Sequence, residues 1–412
     1  MRKSVRPSGV EGKLLAPASK SIAQRAIAAA AMANGVSEII YPGTCDDTRS
    51  AIEVCRTLGA QITGTADQLM VTGGLRLPHA PLVCGEAGLG IRMFSAIAAT
   101  LEGEVTLTGH GSLLKRPMRI IEEGLLQLGA RCSTSNGLLP ITVQGPLAGG
   151  LAIIDGSMSS QVLTGLLMAA PRAKSDVALI VNNLNSRPYI DITLALMREF
   201  GIEVENNGYE QFRIKAGQEY QPGVYRVEGD WSGAAFLLVA GAIGGSVEVD
   251  NLNPRSYQAD KDILNALLRA GAYVSIRESS MLVKKDKLRG FDFDATHCPD
   301  LIPPLVALAA CCQGQSTFVG ADRLRVKESD RAATLQQEFA KLGIEINVDG
   351  NLMVVHGGDI RPADTHSHGD HRIAMAVAVA SLAGSGPVNV DGAESVAKSY
   401  PDFWDDLARI SI

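Results

Sequence analysis

The stretch Arg56-Thr57-Leu58-Gly59-Ala60-Gln61-Ile62-Thr63 runs the end of an amphipathic segment into a glycine and then into β-type residues, and the phrase returns four more times. It reads LLQLGARCS at 125–133, MREFGIEVE at 197–205, LLRAGAYVS at 267–275 and FAKLGIEIN at 339–347. The glycines, Gly59, Gly129, Gly201, Gly271 and Gly343, stand 70, 72, 70 and 72 residues apart. A glycine just past a helix supplies the left-handed residue that ends it. Ahead of the last one, Ala332, Leu335, Phe339 and Leu342 recur three to four apart, the stripe of one buried helix face.

Between these phrases lie segments that are apolar almost all round, at 21–32, 89–101, 160–170, 232–243, 301–312 and 371–383. Their first residues step by 68, 71, 72, 69 and 70, in register with the first series. A helix without a polar face must be covered on every side, so these six should fill domain interiors while the amphipathic helices cover sheets. Six units of about 70 residues are too large for a thin solenoid and suit an α/β protein of two domains, three units each. Pro222-Gly223 marks the best mid-chain crossing point.

Composition narrows the function. Hydrophobic residues make up 46% and charged residues 20%, as in a packed globular protein without a disordered block. The net charge of −6 speaks against a nucleic-acid binder, which must neutralise many phosphates with clustered Lys and Arg. Met1-Arg2-Lys3-Ser4-Val5 has no apolar stretch behind it, and the longest apolar runs, 234–243 and 373–383, fall short of the roughly 20 residues that span a bilayer. A cytoplasmic protein with no membrane partner is expected. Seven scattered cysteines without a CxxC pair read as reduced core thiols.

Polar residues gather where the interior helices begin: Ser19-Lys20-Ser21 with Arg25, Gly85-Glu86-Ala87-Gly88 with Arg92, 157–161, Asp300, and Asp370-His371-Arg372. Helix N-termini expose unpaired N–H groups and partial positive charge, so this pattern suits phosphates and carboxylates. The amphipathic helices also begin with charge, as in Lys115-Arg116-Pro117, Ser186-Arg187-Pro188-Tyr189 and Arg325-Val326-Lys327-Glu328-Ser329-Asp330-Arg331. Arg offers a fork for anion oxygens, and a mixed Lys/Glu/Arg cluster can hold an anion and move a proton. The chain carries no GxxxxGK[ST] loop, GxGxxG turn or GxSxG elbow. His366, His368 and His371 lie close together but lack a matching Cys or carboxylate ligand set, so no metal is expected.

Taken together, these segments resemble the 5-enolpyruvylshikimate-3-phosphate (EPSP) synthase family of enolpyruvyl transferases. The likeness runs end to end and rests on Ser19-Lys20-Ser21 with Arg25, Lys115-Arg116-Pro117-Met118, Ser159-Ser160-Gln161, Ser186-Arg187-Pro188-Tyr189-Ile190, Val227-Glu228-Gly229-Asp230, Pro299-Asp300, the 325–331 stretch, Asp370-His371-Arg372 and Lys398-Ser399-Tyr400-Pro401-Asp402.

The resemblance implies two similar domains, each of three βαβαββ-type repeats around buried helices, described as an inside-out α/β barrel. It places residues 14–227 in one domain and 1–13 with 228–412 in the other, with substrates bound in the cleft between them. It implies transfer of the enolpyruvyl group of phosphoenolpyruvate to the 5-hydroxyl of shikimate 3-phosphate, without a cofactor, in a monomer. By likeness, Lys20, Asp300, Glu328 and Lys398 are catalytic, with Asp300 the base at the hydroxyl and Glu328 the proton carrier at the methylene.

Shikimate 3-phosphate would meet Lys20, Ser21, Arg25, Ser159, Ser160, Gln161, Ser186, Tyr189, Asp300, Arg323 and Lys327. Phosphoenolpyruvate would meet Lys20, Gly88, Arg116, Gln161, Arg331, Arg372 and Lys398. Gln24, the 86–91 stretch and Arg323 depart from the commoner family pattern. The rival readings are the enolpyruvyl transferase that acts on UDP-N-acetylglucosamine and a noncatalytic anion-binding protein of the same fold.

Overall fold

Twelve α-helices alternate along the chain in a computed structural model that describes every residue of 1–412 except Met158 and Val326. They are α1 (Lys20–Met32), α2 (Asp46–Thr57), α3 (Gly88–Ala98), α4 (Arg119–Gln127), α5 (Gln161–Ala169), α6 (Arg187–Glu199), α7 (Trp231–Gly244), α8 (Ile263–Ala270), α9 (Ile302–Ala310), α10 (Arg331–Lys341), α11 (His371–Ser381) and α12 (Phe403–Ile410). The odd-numbered helices are the apolar series, and every residue of α3, α9 and α11 is buried. The even-numbered ones bury one face. In α2 that face is Asp47, Thr48, Ala51, Val54 and Cys55. The five repeat glycines all take positive φ, from 80° at Gly201 to 100° at Gly59, so each closes its helix as the sequence requires.

Each repeat wraps its helices with a small mixed sheet. In the third, Gly150–Asp155 runs parallel to Val177–Asn182, as a helical crossover demands, and Gln211–Ile214 and Glu205–Asn207 then add antiparallel. Five sheets have four strands. The sixth has three, because Ala363–His366 and Val388–Asp391 are completed by the N-terminal strand Arg2–Val5. These six sheets are separate, and among the described residues none closes on itself. The barrel implied by the resemblance is therefore, in this chain, three open sheets per unit.

Two strands change places. Val10–Leu15 leads into α1 yet pairs with Gly245–Asp250, the strand after α7, whereas Val224–Arg226 leads into α7 yet pairs with Val36–Ile40, the strand after α1. The exchange divides the chain into one unit of Met1–Pro17 with Glu228–Ile412 and another of Ala18–Val227. The sequence boundary before residue 14 cuts this strand, and Leu14 and Leu15 stay with their partners Val249 and Asp250.

Helix packing is close where side chains are small. In the second unit α3 packs on α5, and a Cβ on Gly165 would come within 2.7 Å of the Arg92 carbonyl oxygen. In the first unit α7, α9 and α11 pack against one another, with Phe236, Leu237, Leu305, Val306, Met375 and Val377 sealed from solvent. Each such large side chain stabilises the core by about 1.5–3 kcal/mol relative to exposure. Because the interior helices are held on all sides, their first turns are fixed platforms for polar groups. Among the described residues no helix is long and apolar enough to cross a membrane.

Candidate active site

The helix starts differ between the units. In the first unit each interior helix begins with an aspartate: Asp230 accepts the Ser232 N–H at 3.0 Å, Asp300 sits in the short 3-10 turn Pro299–Leu301 that leads into α9, and Asp370 accepts the Arg372 N–H at 3.0 Å. A carboxylate there satisfies the exposed amides and the helix dipole internally. In the second unit the corresponding positions are Ser19, Ala87 and Ser160, which bring no negative charge. The Ser19 hydroxyl is buried without a hydrogen-bond partner among the described residues.

Around the second unit's helix starts stand cations. Lys20 is largely buried, and its Nζ donates to Asp47 Oδ2 at 2.7 Å. Arg92 donates to the Gly88 carbonyl at 3.0 Å, to Gln161 Oε1 at 3.0 Å and to the Pro117 carbonyl at 2.9 Å, tying three of the predicted segments together. Arg116 packs closely on Gly88, where a Cβ would fall 2.1 Å from its Nη1. Its Nε is buried without a hydrogen-bond partner among the described residues. Ser159 Oγ accepts the Gln161 N–H at 3.2 Å, while Ser160 is buried at the cap of α5. Ser186 begins α6 in a left-handed conformation, φ 58° and ψ 42°, which is strained for a residue with a Cβ.

Arg25 is buried, with Nε on Thr193 Oγ1, Nη1 on the Ser21 carbonyl, and Nη2 on Thr164 Oγ1 and the Tyr189 carbonyl. Burial pushes its guanidinium down to about 10. Its observed partners join α1 to α5 and α6, so in this structure its donors hold the scaffold.

The first unit gathers carboxylates with cations. Arg331, at the start of α10, donates through Nε to Asp370 Oδ2 at 2.7 Å, through Nη1 to Asp300 Oδ1 at 2.8 Å and through Nη2 to Glu328 Oε2 at 2.5 Å. Arg372 Nη2 reaches Asp300 Oδ2 at 3.1 Å, and Lys327 Nζ reaches Asp300 Oδ1 at 3.2 Å. Lys398 Nζ lies 3.9 Å from Glu328 Oε1. Burial alone would raise the Asp300 carboxyl, but Arg372, Lys327 and Arg331 outweigh it and hold that carboxyl well below the usual range. Burial lowers Lys327 despite Asp300. Behind them, burial and the charge of Asp300 push Asp260 up to about 7, and its Oδ2 accepts a hydrogen bond from Ser232 Oγ.

Arg323 stands in the 3-10 turn Ala321–Leu324 and donates to the Thr296 carbonyl at 2.6 Å. Its charge also presses on Lys327. The histidines scatter: His368 Nε2 lies 2.7 Å from Glu338 Oε1, while His371 is buried with Nδ1 3.7 Å from Asp370 Oδ1. Among the described residues no cluster of three or more His, Cys, Asp or Glu is arranged to hold a metal ion.

The structure thus adds Asp47 and Asp260 to the residues singled out from sequence, and gives partners to Arg92 and Asp370, which the sequence had marked only as polar residues at helix starts. The signal for Asp370 was available, since Asp230, Asp300 and Asp370 repeat every 70 residues. Asp260 falls outside that series, 30 residues after Asp230.

Paired cations and carboxylates on rigid helix starts, in an α/β scaffold of repeated units, define an enzyme for small anionic substrates. A family model described as "EPSP synthase (3-phosphoshikimate 1-carboxyvinyltransferase)" matches residues 5–407. The 3-phosphoshikimate 1-carboxyvinyltransferase of Methanocella arvoryzae is 39% identical over 98% of this chain and 97% of its own length. That of Clostridium novyi is 36% identical over 98% and 96%. A solved structure of EPSP synthase from Acinetobacter baumannii superposes with a TM-score of 0.85 at 27% identity, covering 100% of this chain and 98% of that one. The chain belongs to the EPSP synthase family.

Proposed function

We propose that this protein transfers the enolpyruvyl group of phosphoenolpyruvate to the 5-hydroxyl of shikimate 3-phosphate and releases inorganic phosphate. Family membership along the whole chain supports the reaction. The observation that carries the assignment of roles is that Asp300 and Glu328 share one buried guanidinium, that of Arg331, with Lys327 and Lys398 beside them.

Addition begins when the 5-hydroxyl oxygen bonds to C2 of phosphoenolpyruvate. Asp300 takes the hydroxyl proton, and Glu328 gives a proton to the methylene, which becomes a methyl group. In the elimination Glu328 takes a methyl proton back, the double bond reforms, the bond from C2 to the phosphate oxygen breaks, and the leaving phosphate takes up the proton that Asp300 received. Positioned cations offset the charge that develops on phosphate and carboxylate, and Arg331, Arg372 and Lys398 serve here. Lys20, Gly88, Arg116 and Gln161 in the other unit take the same kind of contact, Arg116 and Arg372 each with a buried Nε that has no hydrogen-bond partner among the described residues. An anion that draws Arg372 and Lys327 away from Asp300 withdraws the charges that hold it down, so Asp300 becomes a stronger base as substrate binds.

Shikimate 3-phosphate is assigned to Lys20, Ser21, Arg25, Ser159, Ser160, Gln161, Ser186, Tyr189, Asp300, Arg323 and Lys327. Of these, Arg25 must release a protein oxygen or use its remaining Nη1 hydrogen to contribute.

The test uses deuterium. In D2O, protonation and deprotonation at the methyl carbon leave deuterium in the enolpyruvyl product, and Glu328→Gln should remove that incorporation with the loss of turnover. A folded Glu328→Gln protein that still makes deuterated product at the native rate would remove Glu328 from this role.

A further inference from the structure

Glu338 is an acidic residue on a buried stripe. It falls three residues after Leu335 and four before Leu342, and its side chain has no exposed surface. A carboxylate there must be fully partnered. Oε1 and Oε2 accept from Lys341 Nζ at 2.9 and 2.8 Å, Oε2 also accepts the His366 N–H at 2.9 Å, and Oε1 lies 2.7 Å from His368 Nε2. An ionised carboxylate only accepts, so His368 Nε2 carries the hydrogen. Burial raises the Glu338 carboxyl, and the bonds from Lys341, His368 and the His366 amide together bring it below its usual range.

Lys341 lies on α10 itself, and the other two partners, His366 and His368, belong to the turn that delivers Asp370 and Arg372. In this turn the His368 N–H donates to His366 Nδ1 at 2.8 Å, and the Asp370 N–H donates to the Ser367 carbonyl at 2.9 Å. His368 and Gly369 both take positive φ, 55° and 71°. For His368 this is an unfavoured conformation that its surroundings must enforce. Glu338 stands seven residues after Arg331, two turns along the same face of α10. One helix face therefore grips one segment at both ends: Glu338 holds 366 and 368, and Arg331 holds Asp370.

We propose that Glu338 is a positioning residue for the phosphoenolpyruvate side of the site, clamping the 366–369 turn to α10 so that Arg372 stays aimed beside Asp300. The proposal rests on the reading of Arg372 as a phosphoenolpyruvate contact. A merely structural ion pair would lower stability alone, whereas a clamp acts on one substrate.

The experiment compares the native enzyme with Glu338→Gln, which keeps the shape and loses the charge. Phosphate release is measured with each substrate varied in turn, beside hydrogen exchange of the peptide covering 363–373. The clamp predicts an increase of about tenfold in KM for phosphoenolpyruvate, an unchanged KM for shikimate 3-phosphate, and faster exchange in that peptide. A folded Glu338→Gln enzyme with both KM values and the exchange unchanged overturns the proposal, even if it melts at a lower temperature. Should Glu338→Gln fail to fold, His368→Ala at the partly exposed turn decides the matter. It leaves Glu338 paired with Lys341, and a KM for phosphoenolpyruvate equal to the native value overturns the clamp. A native enzyme silent toward both substrates would sink the functional reading instead, and the exchange comparison would still decide whether Glu338 holds the turn.

Discussion

Arg331 and Asp370 form a two-pronged ion pair sealed from solvent, with Nε to Oδ2 at 2.7 Å and Nη2 to Oδ1 at 3.2 Å. The same aspartate caps α11 and accepts from Ser329 Oγ at 3.1 Å, so one buried carboxylate joins the starts of two helices. Removing one partner of a buried pair strands the other charge and costs about 3–5 kcal/mol. Asp370→Ala should lose that much in urea unfolding. A loss below about 1 kcal/mol would show that Arg331 finds sufficient compensation in Asp300 and Glu328.

Lys20 is held by Asp47 in a largely buried pair, which fixes its ammonium at the start of α1. Lys20→Met keeps the length and removes the charge, and turnover should fall by about 100-fold or more while circular dichroism stays native. Asp47→Asn leaves the ammonium present but less firmly placed, so its loss should be smaller. Equal, near-native rates in both variants would remove Lys20 from catalysis.

Asp260 sets a pH dependence of stability. Its folded-state carboxyl is raised to about 7 by burial and by Asp300, so the folded protein keeps a proton that the unfolded chain surrenders near pH ~4. The stability this contributes is complete below pH ~4 and is lost as pH rises through about 7. Asp300 runs the other way: its carboxyl is depressed, so its contribution is present above pH ~4 and is lost as pH falls through its folded value. Asp260→Asn is neutral throughout, and its melting midpoint relative to native should rise between pH 5 and pH 8. A constant difference across that range would contradict the assignment.

Gly165 lets α5 lie against α3, with a hypothetical Cβ 2.7 Å from the Arg92 carbonyl oxygen and 3.0 Å from the Met93 Cα. Backbone atoms cannot step aside as a flexible side chain can. Gly165→Ala should therefore destabilise by about 1–3 kcal/mol despite the better helix propensity of alanine. It should also weaken turnover, because the displaced Arg92 orients Gln161. Unchanged stability would mean the helices separate freely.

The repeat was legible because two independent signals agreed: glycines that end amphipathic helices, and helices with no polar face. Strand pairing was harder to read. Val224–Arg226 and Glu205–Asn207 are three residues long and carry little alternation, and the exchange of Val10–Leu15 with Val224–Arg226 is a choice between partners far apart in sequence. Site motifs stood out where charge met a helix start, as at Lys20, Asp300 and Arg372. What the sequence could not show was which way a buried cation faces: Arg25 is proposed as a substrate contact, and in this structure its donors serve Thr164, Thr193 and two carbonyls. Glu338 passed unread as a carboxylate on an apolar stripe, because beyond neighbouring Lys341 its partners lie 28 and 30 residues away on another turn.

The central claim is tested most directly by measuring inorganic phosphate released from phosphoenolpyruvate by the purified protein, with either shikimate 3-phosphate or UDP-N-acetylglucosamine as acceptor. Release with shikimate 3-phosphate alone is the predicted result. Release with the nucleotide sugar alone, or with neither acceptor, would contradict it.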